Sequence, residues 1–563
     1  MIRSLLLPVG LSALMVACTA SNEAARAPSP SAGSPSGTPA PDANSSRGSD
    51  EDGLVCWAAN RRPGSSEISF VDATAEVGLL EPLKGIYGHA AAWGDVNGDA
   101  EPDLFVGSFA DRPEEEYRMR GATGPSPDRL LLNGPDGFQV ESGFPELFGR
   151  TSGAVFVDLD GDGDLDLVVS RNTRPSARGG RLTEILSNES GRFQAVEDSG
   201  IPEDLVGRSV AVLDFDRDGL LDLFVAEDRW SGGSSALLRN EGGLHFGDAT
   251  SAAGLPADVH GLGVAAADLT DDGNPDLFVA GSNRMFISNG DGTFREADND
   301  EFAWETYGEE DDVSGVSIGD LNRDGRPDIV LGHHYNSTLD FEERVPVRVY
   351  MHTGLTDAGD PRFEDVTEAS GLPGLPTKAP HVEINDFDND GWPDILTTAS
   401  ALDGTRPTVF RHAGLDGDVP RFVTPSGLGN PQYWITGPAA DVDRDGRLDV
   451  LLVEWEPALP SLLLRNETGS GNWLEVSIGP ELGVGVGARV SVYEAGDLGR
   501  PDGLIGMREI TASEGYSTGH VAEAHFGLGP EEAADVQIEL ADGEIANLRG
   551  VEANRHIRLP GGC

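Results

Sequence analysis

Aspartates recur along this chain at a spacing suited to holding a hard cation. Seven segments share one frame: Asp, then Asp or Asn two residues on, Asp at the fifth position, Gly at the sixth and Asp at the ninth. In chain order they supply Asp95, Asn97, Asp99 and Asp103; Asp158, Asp160, Asp162 and Asp166; Asp214, Asp216, Asp218 and Asp222; and Asp268, Asp272 and Asp276. The last three supply Asp320, Asn322, Asp324 and Asp328; Asp386, Asp388, Asp390 and Asp394; and Asp441, Asp443, Asp445 and Asp449. Oxygen donors at alternate positions of a tight turn converge on one point, glycine permits the turn, and the seventh carbonyl can add a ligand. Without a cation such carboxylates repel one another. Numerous donors, all oxygen, favour calcium over magnesium. The expectation is five to seven structural Ca2+ sites. The second, third, sixth and seventh loops are expected to bind tightly. The first, with Ala100 in place of glycine, and the fourth, with Thr270 at position three, are expected to bind more weakly.

An EF-hand shares the first six positions but needs a Glu at the twelfth and flanking helices. Here the twelfth residues are Val106, Val169, Val225, Val279, Leu331, Thr397 and Leu452, inside strand-like runs. The loops therefore join strands. A third apolar run follows each pair, ending near Asn or His, as in Leu130–Asn133, Ala236–Asn240 and Thr408–His412. Six of these lead to a Phe-centred fourth run at Phe138, Phe193, Phe246, Phe294, Phe363 and Phe422. The seventh lacks one, but Ile68–Thr74, ahead of the first loop, has its pattern. Four strands per unit and repeats roughly 50–65 residues apart predict an all-β, seven-bladed β-propeller closed by an N-terminal strand.

The nine-residue loop at this spacing resembles the FG-GAP/VCBS repeat family, which includes the integrin α-subunit head, over about Ser66 to Asn466. The resemblance implies calcium sites that stiffen each blade and lie away from the ligand face. Residues 467–563 carry no such loop. Their short alternating runs, with Gly483–Ala488, Glu514–Thr518 and above all His525-Phe526-Gly527-Leu528-Gly529, resemble the ASPIC/UnbV domain. The Trp-Pro-x-Gly turn common in that domain is replaced here by Leu540-Ala541-Asp542-Gly543. The resemblance implies a calcium-binding or adhesive protein of the cell exterior; it does not imply a catalytic reaction.

Residues a little before each loop should rim the funnel of such a propeller. They include His89, Arg150, Arg208, His260, Lys378, His381, Tyr433 and Trp434. This collar suits an anionic or sugar-like ligand, or consists of ordinary strand ends in solvent. His381 beside Glu383 could alternatively form a metal pair. His-Glu-x-x-His and a Walker loop are absent, and no catalytic residue is assigned. The two functional readings are recognition of a protein or polysaccharide at the cell surface, and a carbohydrate-active lyase or hydrolase using the funnel.

The termini bear on location. Met1–Ala17 has a basic start and a short apolar stretch, and Met15-Val16-Ala17-Cys18 resembles a bacterial lipobox, with Cys18 acylated. An ordinary secretory signal is the alternative. Residues 1–17 are thus read as a lipoprotein signal, 18–55 as an Ala/Ser/Pro/Gly tether, 56–466 as the propeller and 467–563 as a small β domain. Cys56 and Cys563 are a candidate disulfide in an oxidising compartment. The expected place is extracytoplasmic: an outer-membrane lipoprotein, or the surface of a Gram-negative cell. A monomer is expected, touching membrane only through Cys18. With 96 Asp+Glu against 40 Lys+Arg and a net charge of −56, nucleic acid is excluded as a default partner.

Overall fold

The computed structural model describes residues 48–49, 55–58, 67–172, 182–228, 233–298, 300–302, 311–335, 345–400, 404–423, 427–469, 471–479, 482 and 485–560. Cys18, Cys563 and the Cys56 side chain lie outside them, and with them the lipidation and disulfide expectations.

The chain is all-β; among the described residues, two short α-helices lie at Glu114–Met119 and Thr367–Ser370. Strands around the loops are wholly buried, as in Gly88–Gly94, Thr151–Val157 and Gly261–Ala267. They read as continuous apolar runs because both faces are covered by neighbouring sheets. In every copy the ninth-position Asp is the first residue of the strand leaving the loop. The sheet at the third loop runs Val210–Leu213, Asp222–Val225, Ala236–Asn240, Phe246–Asp248, each strand antiparallel to the next. The same chain-order arrangement holds at the second, fourth, fifth and sixth loops. At the seventh, Leu462–Asn466 pairs with Phe70–Asp72 from the other end of the repeat region, Phe70 opposite Asn466.

Successive sheets share buried apolar clusters. Val155 and Val168 pack with Val212 and Leu223. Leu396 and Val409 pack with Val450 and Leu462. Trp93 and Leu104 of the first sheet pack with Val442 and Leu451 of the seventh. Each large side chain so buried contributes about 1.5–3 kcal/mol.

The polar residue ending the third strand bridges the same gaps. Asn188 donates to the Val96 carbonyl at 2.9 Å, Asn240 to Leu159 at 2.8 Å, Asn466 to Phe387 at 2.8 Å and Asn133 to Val442 at 3.0 Å. His412 Nε2 lies 3.2 Å from the Leu321 carbonyl. Every acceptor is the second residue of a neighbouring loop.

The C-terminal region forms two further sheets. One contains Asn472–Ile478, Glu523–Gly529, Arg555–Leu559 and the backbone of Val55–Ala58; the other contains Leu504–Glu509, Arg489–Glu494, Ala533–Glu539 and Ile545–Glu552. Leu474, Val476, Phe526 and Ile557 of the first face Val490, Val492, Val536 and Ile538 of the second across one core. Among the described residues, no helix is long and apolar enough to cross a membrane.

Candidate functional site

Each acidic loop is held by its own carboxylates. The first Asp accepts the amide of position six: Gly163 N–H to Asp158 at 3.0 Å, Gly391 to Asp386 at 2.7 Å and Gly446 to Asp441 at 2.7 Å. The fifth-position Asp accepts the seventh amide, as Trp392 N–H to Asp390 at 2.9 Å. The ninth-position Asp uses both oxygens. Asp166 accepts Leu159 N–H at 3.1 Å and Asn188 N–H at 2.9 Å; Asp394 accepts Phe387 N–H at 3.0 Å and His412 N–H at 2.8 Å. It therefore clamps loop start to third strand, a role the ligand pattern alone did not reveal. Positions four and six both take positive φ. At position six Ala100 sits at φ 73° where the other copies have Gly.

The turn gathers the predicted ligands. Oxygens of Asp158, Asp160 and Asp166 lie within 4.8 Å of one another, as do those of Asp214, Asp216 and Asp218, and of Asp386, Asp388 and Asp394. Burial first, and neighbouring carboxylates next, push the Asp386 and Asp394 carboxyls well above the usual range. Burial pushes Asp222 up to about 8. At position three, Asp216 Oδ1 and Thr270 Oγ1 are buried and make no hydrogen bond. Orphaned oxygens facing crowded carboxylates fit a hard cation, so this donor set suits Ca2+. Arg239 reaches Asp216 and Asp218, and Arg411 lies 3.7 Å from Asp388 and Asp390, so these loops also have a partial organic counter-charge.

At four junctions, a side chain at position four links one loop to the next. Arg217 donates to the Gly273 carbonyl at 3.0 Å, Arg323 Nε to Gly391 at 3.0 Å, Asn389 to Gly446 at 2.7 Å and Arg444 Nε to Ala100 at 2.9 Å. Each acceptor is position six of the next loop, and Arg444 joins the seventh loop to the first.

The collar residues meet a segment of the C-terminal domain. Thr518–Gly519 pairs parallel with Ala91–Ala92, and Gly515 exchanges backbone hydrogen bonds with Val316 at 2.6 and 3.2 Å. Tyr516 N–H points at His381 Nδ1 at 3.2 Å, and its carbonyl accepts from Thr436 Oγ1 at 2.6 Å. Its hydroxyl takes Arg208 Nη1 at 3.2 Å and lies 3.5 Å from His89 Nε2. Ser517 N–H donates to Ser209 Oγ at 3.1 Å. Tyr516 is fully buried, packed with Leu262 and Ile435. Gly515 is at φ 74°, and a Cβ there would lie 2.5 Å from the His381 ring, so the tip is shaped for glycine.

The predicted collar is therefore not one open rim. His89, Arg208 and His381 are buried around Tyr516; His89 stacks on Phe109 at 4.3 Å and Arg208 pairs with Asp228 at 2.5 Å. Burial holds His381 down at about 4. Trp434 is enclosed in the apolar cluster with Leu396 and Leu452, its indole N–H on the Asn430 carbonyl at 2.8 Å. Arg150, His260 and Lys378 remain partly exposed. Arg150 lies 3.2 Å from Asp111, Lys378 donates to Tyr433 Oη at 3.2 Å, and His260 lies 3.1 Å from the Asp258 carbonyl. Sequence reasoning marked residues 514–518 only as a domain signature; its one hint of insertion was the pair of small residues, Gly515 and Ser517, around the tyrosine.

Comparison with known proteins agrees with this architecture. Residues 214–279, 268–331 and 386–452 match the FG-GAP-like repeat, and residues 483–562 match the ASPIC and UnbV domain. Cartilage acidic protein 1 of Homo sapiens is 28% identical over 447 residues, 73% of this chain and 63% of that protein. Its Xenopus tropicalis counterpart is 26% identical over 423 residues, 70% of this chain and 62% of that protein. The chain thus spans less than two thirds of the length of these relatives. Among solved structures, BBS1N in complex with ARL6DN resembles it with a TM-score of 0.41 at 11% identity, covering 70% of this chain and 96% of that one. The exotype rhamnogalacturonan lyase YesX does so with a TM-score of 0.38 at 14% identity, covering 68% and 72%. The chain carries FG-GAP-like repeats followed by an ASPIC/UnbV domain, and it has homologues named cartilage acidic protein 1.

Proposed function

We propose that this chain is an extracytoplasmic, calcium-stabilised recognition protein. In this reading its sheets form a seven-bladed propeller closed by Phe70–Asp72, and its outer surfaces bind a protein or polysaccharide at the cell surface. Support for closure comes from the seam between the seventh and first sheets. There the Asn133–Val442 and Arg444–Ala100 hydrogen bonds run in opposite senses over the Trp93 cluster. The observation that carries recognition over catalysis is the seating of Tyr516 against His89, Arg208 and His381, the residues a funnel enzyme would offer its substrate. Those groups are engaged by the chain's own C-terminal domain. Cys18 acylation would anchor the protein to a membrane through the 18–55 tether, consistent with a surface role.

The test is a metal count with a ligand screen. Elemental analysis should find five to seven calcium per chain, and a chelator should lower the melting temperature. A count near zero with a chelator-insensitive melt would reject the calcium framework. Binding to glycan or protein arrays without turnover supports recognition. Cleavage of a polysaccharide by the unmodified chain would replace it with the enzymatic alternative.

A further inference from the structure

A cluster of two glutamates and a histidine lies where the C-terminal domain meets the sheets. Glu383 stands on the strand Val382–Asn385, the first of the sixth sheet. Glu514 and His520 flank the inserted Tyr516 segment. One ligand atom from each of Glu383, Glu514 and His520 lies within 4.8 Å of the others. His520 Nδ1 is 3.7 Å from Glu383 Oε1, close enough for one ion to touch both at metal–ligand lengths of about 2.0–2.2 Å. His520 Nε2 lies 3.4 Å from the Glu514 carbonyl. A proton there leaves Nδ1 as the acceptor, the usual second-shell device for a metal-binding histidine. Glu383 Oε2 is oriented by Ala439 N–H at 3.1 Å, and Glu514 Oε2 by Ser317 Oγ at 2.8 Å.

An independent observation points to a ligand. The three residues line a cavity of about 60 Å³, enough for a cation with its remaining water ligands. Glu475 lines the same cavity; it is 2% exposed, and its Oε2 accepts no hydrogen bond. That oxygen lies 3.6 Å from Arg444 Nη1, and Glu475 Oε1 lies 3.3 Å from His525 Nδ1. Glu509 and Glu523 add further carboxylates to the wall, and Arg508 lies 4.0 Å from Glu514 Oε1. Acidic groups outnumber the basic ones around this partly open cavity, and a divalent ion would balance them.

We propose that Glu383, Glu514 and His520 bind one divalent transition-metal ion of the Zn2+ class, which ties the inserted segment to the sixth sheet. Imidazole with two carboxylates suits zinc, whereas the all-oxygen loops suit calcium, so the two can be separated. The proposal does not depend on the recognition role or on calcium in the loops.

The full chain is stripped of metal, saturated with calcium, given Zn2+, desalted and analysed. One zinc per chain is expected. Glu383→Gln and His520→Ala should each weaken zinc binding at least tenfold, while Glu544→Gln on an exposed turn retains it. Co2+ added to the unmodified chain should give a visible absorption band that Zn2+ abolishes, a readout that needs no variant to fold. Zinc should also slow proteolysis between residues 511 and 521. Absence of retained zinc and of a cobalt band in the parent, or equal zinc in the parent and both variants, would overturn the site.

Discussion

Replacing Gly515 by Ala tests whether the inserted segment is a built part of the fold. Two costs add at this position. An L-residue at φ 74° costs about 1–2 kcal/mol, partly offset by the lost flexibility of the unfolded chain, leaving about 1 kcal/mol. The new methyl would also stand 2.5 Å from the His381 ring and 2.8 Å from the Val382 carbonyl, well inside the 3.5–4.0 Å of favourable contact. Moving either neighbour disturbs the Tyr516 N–H bond to His381, so overpacking and that bond together cost about 2–4 kcal/mol. Gly543 supplies the control: it sits at φ 86° in the same domain with nothing within 4 Å of a Cβ. Gly543→Ala should therefore show the backbone cost alone. For a chain of this length, about 1 kcal/mol shifts the melting temperature by about 1 °C. Thermal melts in saturating calcium should fall by about 1 °C for Gly543→Ala and by about 3–5 °C for Gly515→Ala. Only the latter should open residues 511–521 to protease. Equal shifts, with equal protection of that segment, would refute the close fit.

Ala100→Gly should stabilise the chain by about 0.5–1 kcal/mol, because it relieves a left-handed alanine at φ 73°; a destabilised melt would contradict that reading of the first loop. Glu454 is buried, its Oε2 makes no hydrogen bond, and burial pushes its carboxyl up to about 8 from the ordinary 4.5. The folded state then keeps a proton that the unfolded chain has lost. Its stability contribution is complete below about pH 4.5 and is lost as pH rises through about 8. Glu454→Gln should melt above the parent at pH 8 and converge with it at pH 5; a gap independent of pH would remove the assignment. Deleting residues 54–75 removes the strand opposite Leu462–Asn466 and the Thr74 hydroxyl that accepts Leu463 N–H at 3.0 Å. The melt should lose its cooperativity, and an unchanged transition would exclude closure through that strand.

The loops were legible because their chemistry leaves few choices of residue. Converging oxygens require Asp or Asn at odd positions, and the reversal between them requires a residue tolerant of positive φ. The strands were legible from apolar runs between turns, and the pairing of Phe70–Asp72 from its likeness to the other Phe-centred strands. What the pattern hid was the second use of the same atoms. Asp166 reads as a ligand, yet its two oxygens also fasten Leu159 and Asn188, and backbone donors carry no residue-type signature. Asn188 and His412 were visible as recurrent strand ends. Their partners are carbonyls of neighbouring sheets, which any residue could supply.

The inserted segment shows where sequence reasoning reaches its limit. Position before a loop grouped His89, Arg208 and His381 with five other residues, and these three meet at Tyr516, because strand register brings such residues to one end of their sheets. Whether that end is filled depends on a chain segment from another domain, and neither partner's pattern names the other. Tyr516 supplies one hydroxyl for Arg208 and one backbone amide for His381, and burying either cavity group without them would cost about 1–3 kcal/mol. An aromatic with a polar tip between small residues is also a common turn on any protein surface. Only the geometry separates the two cases. The same cationic and aromatic residues that would suit a sugar in an open site are, around Tyr516, partners of the chain's own C-terminal domain.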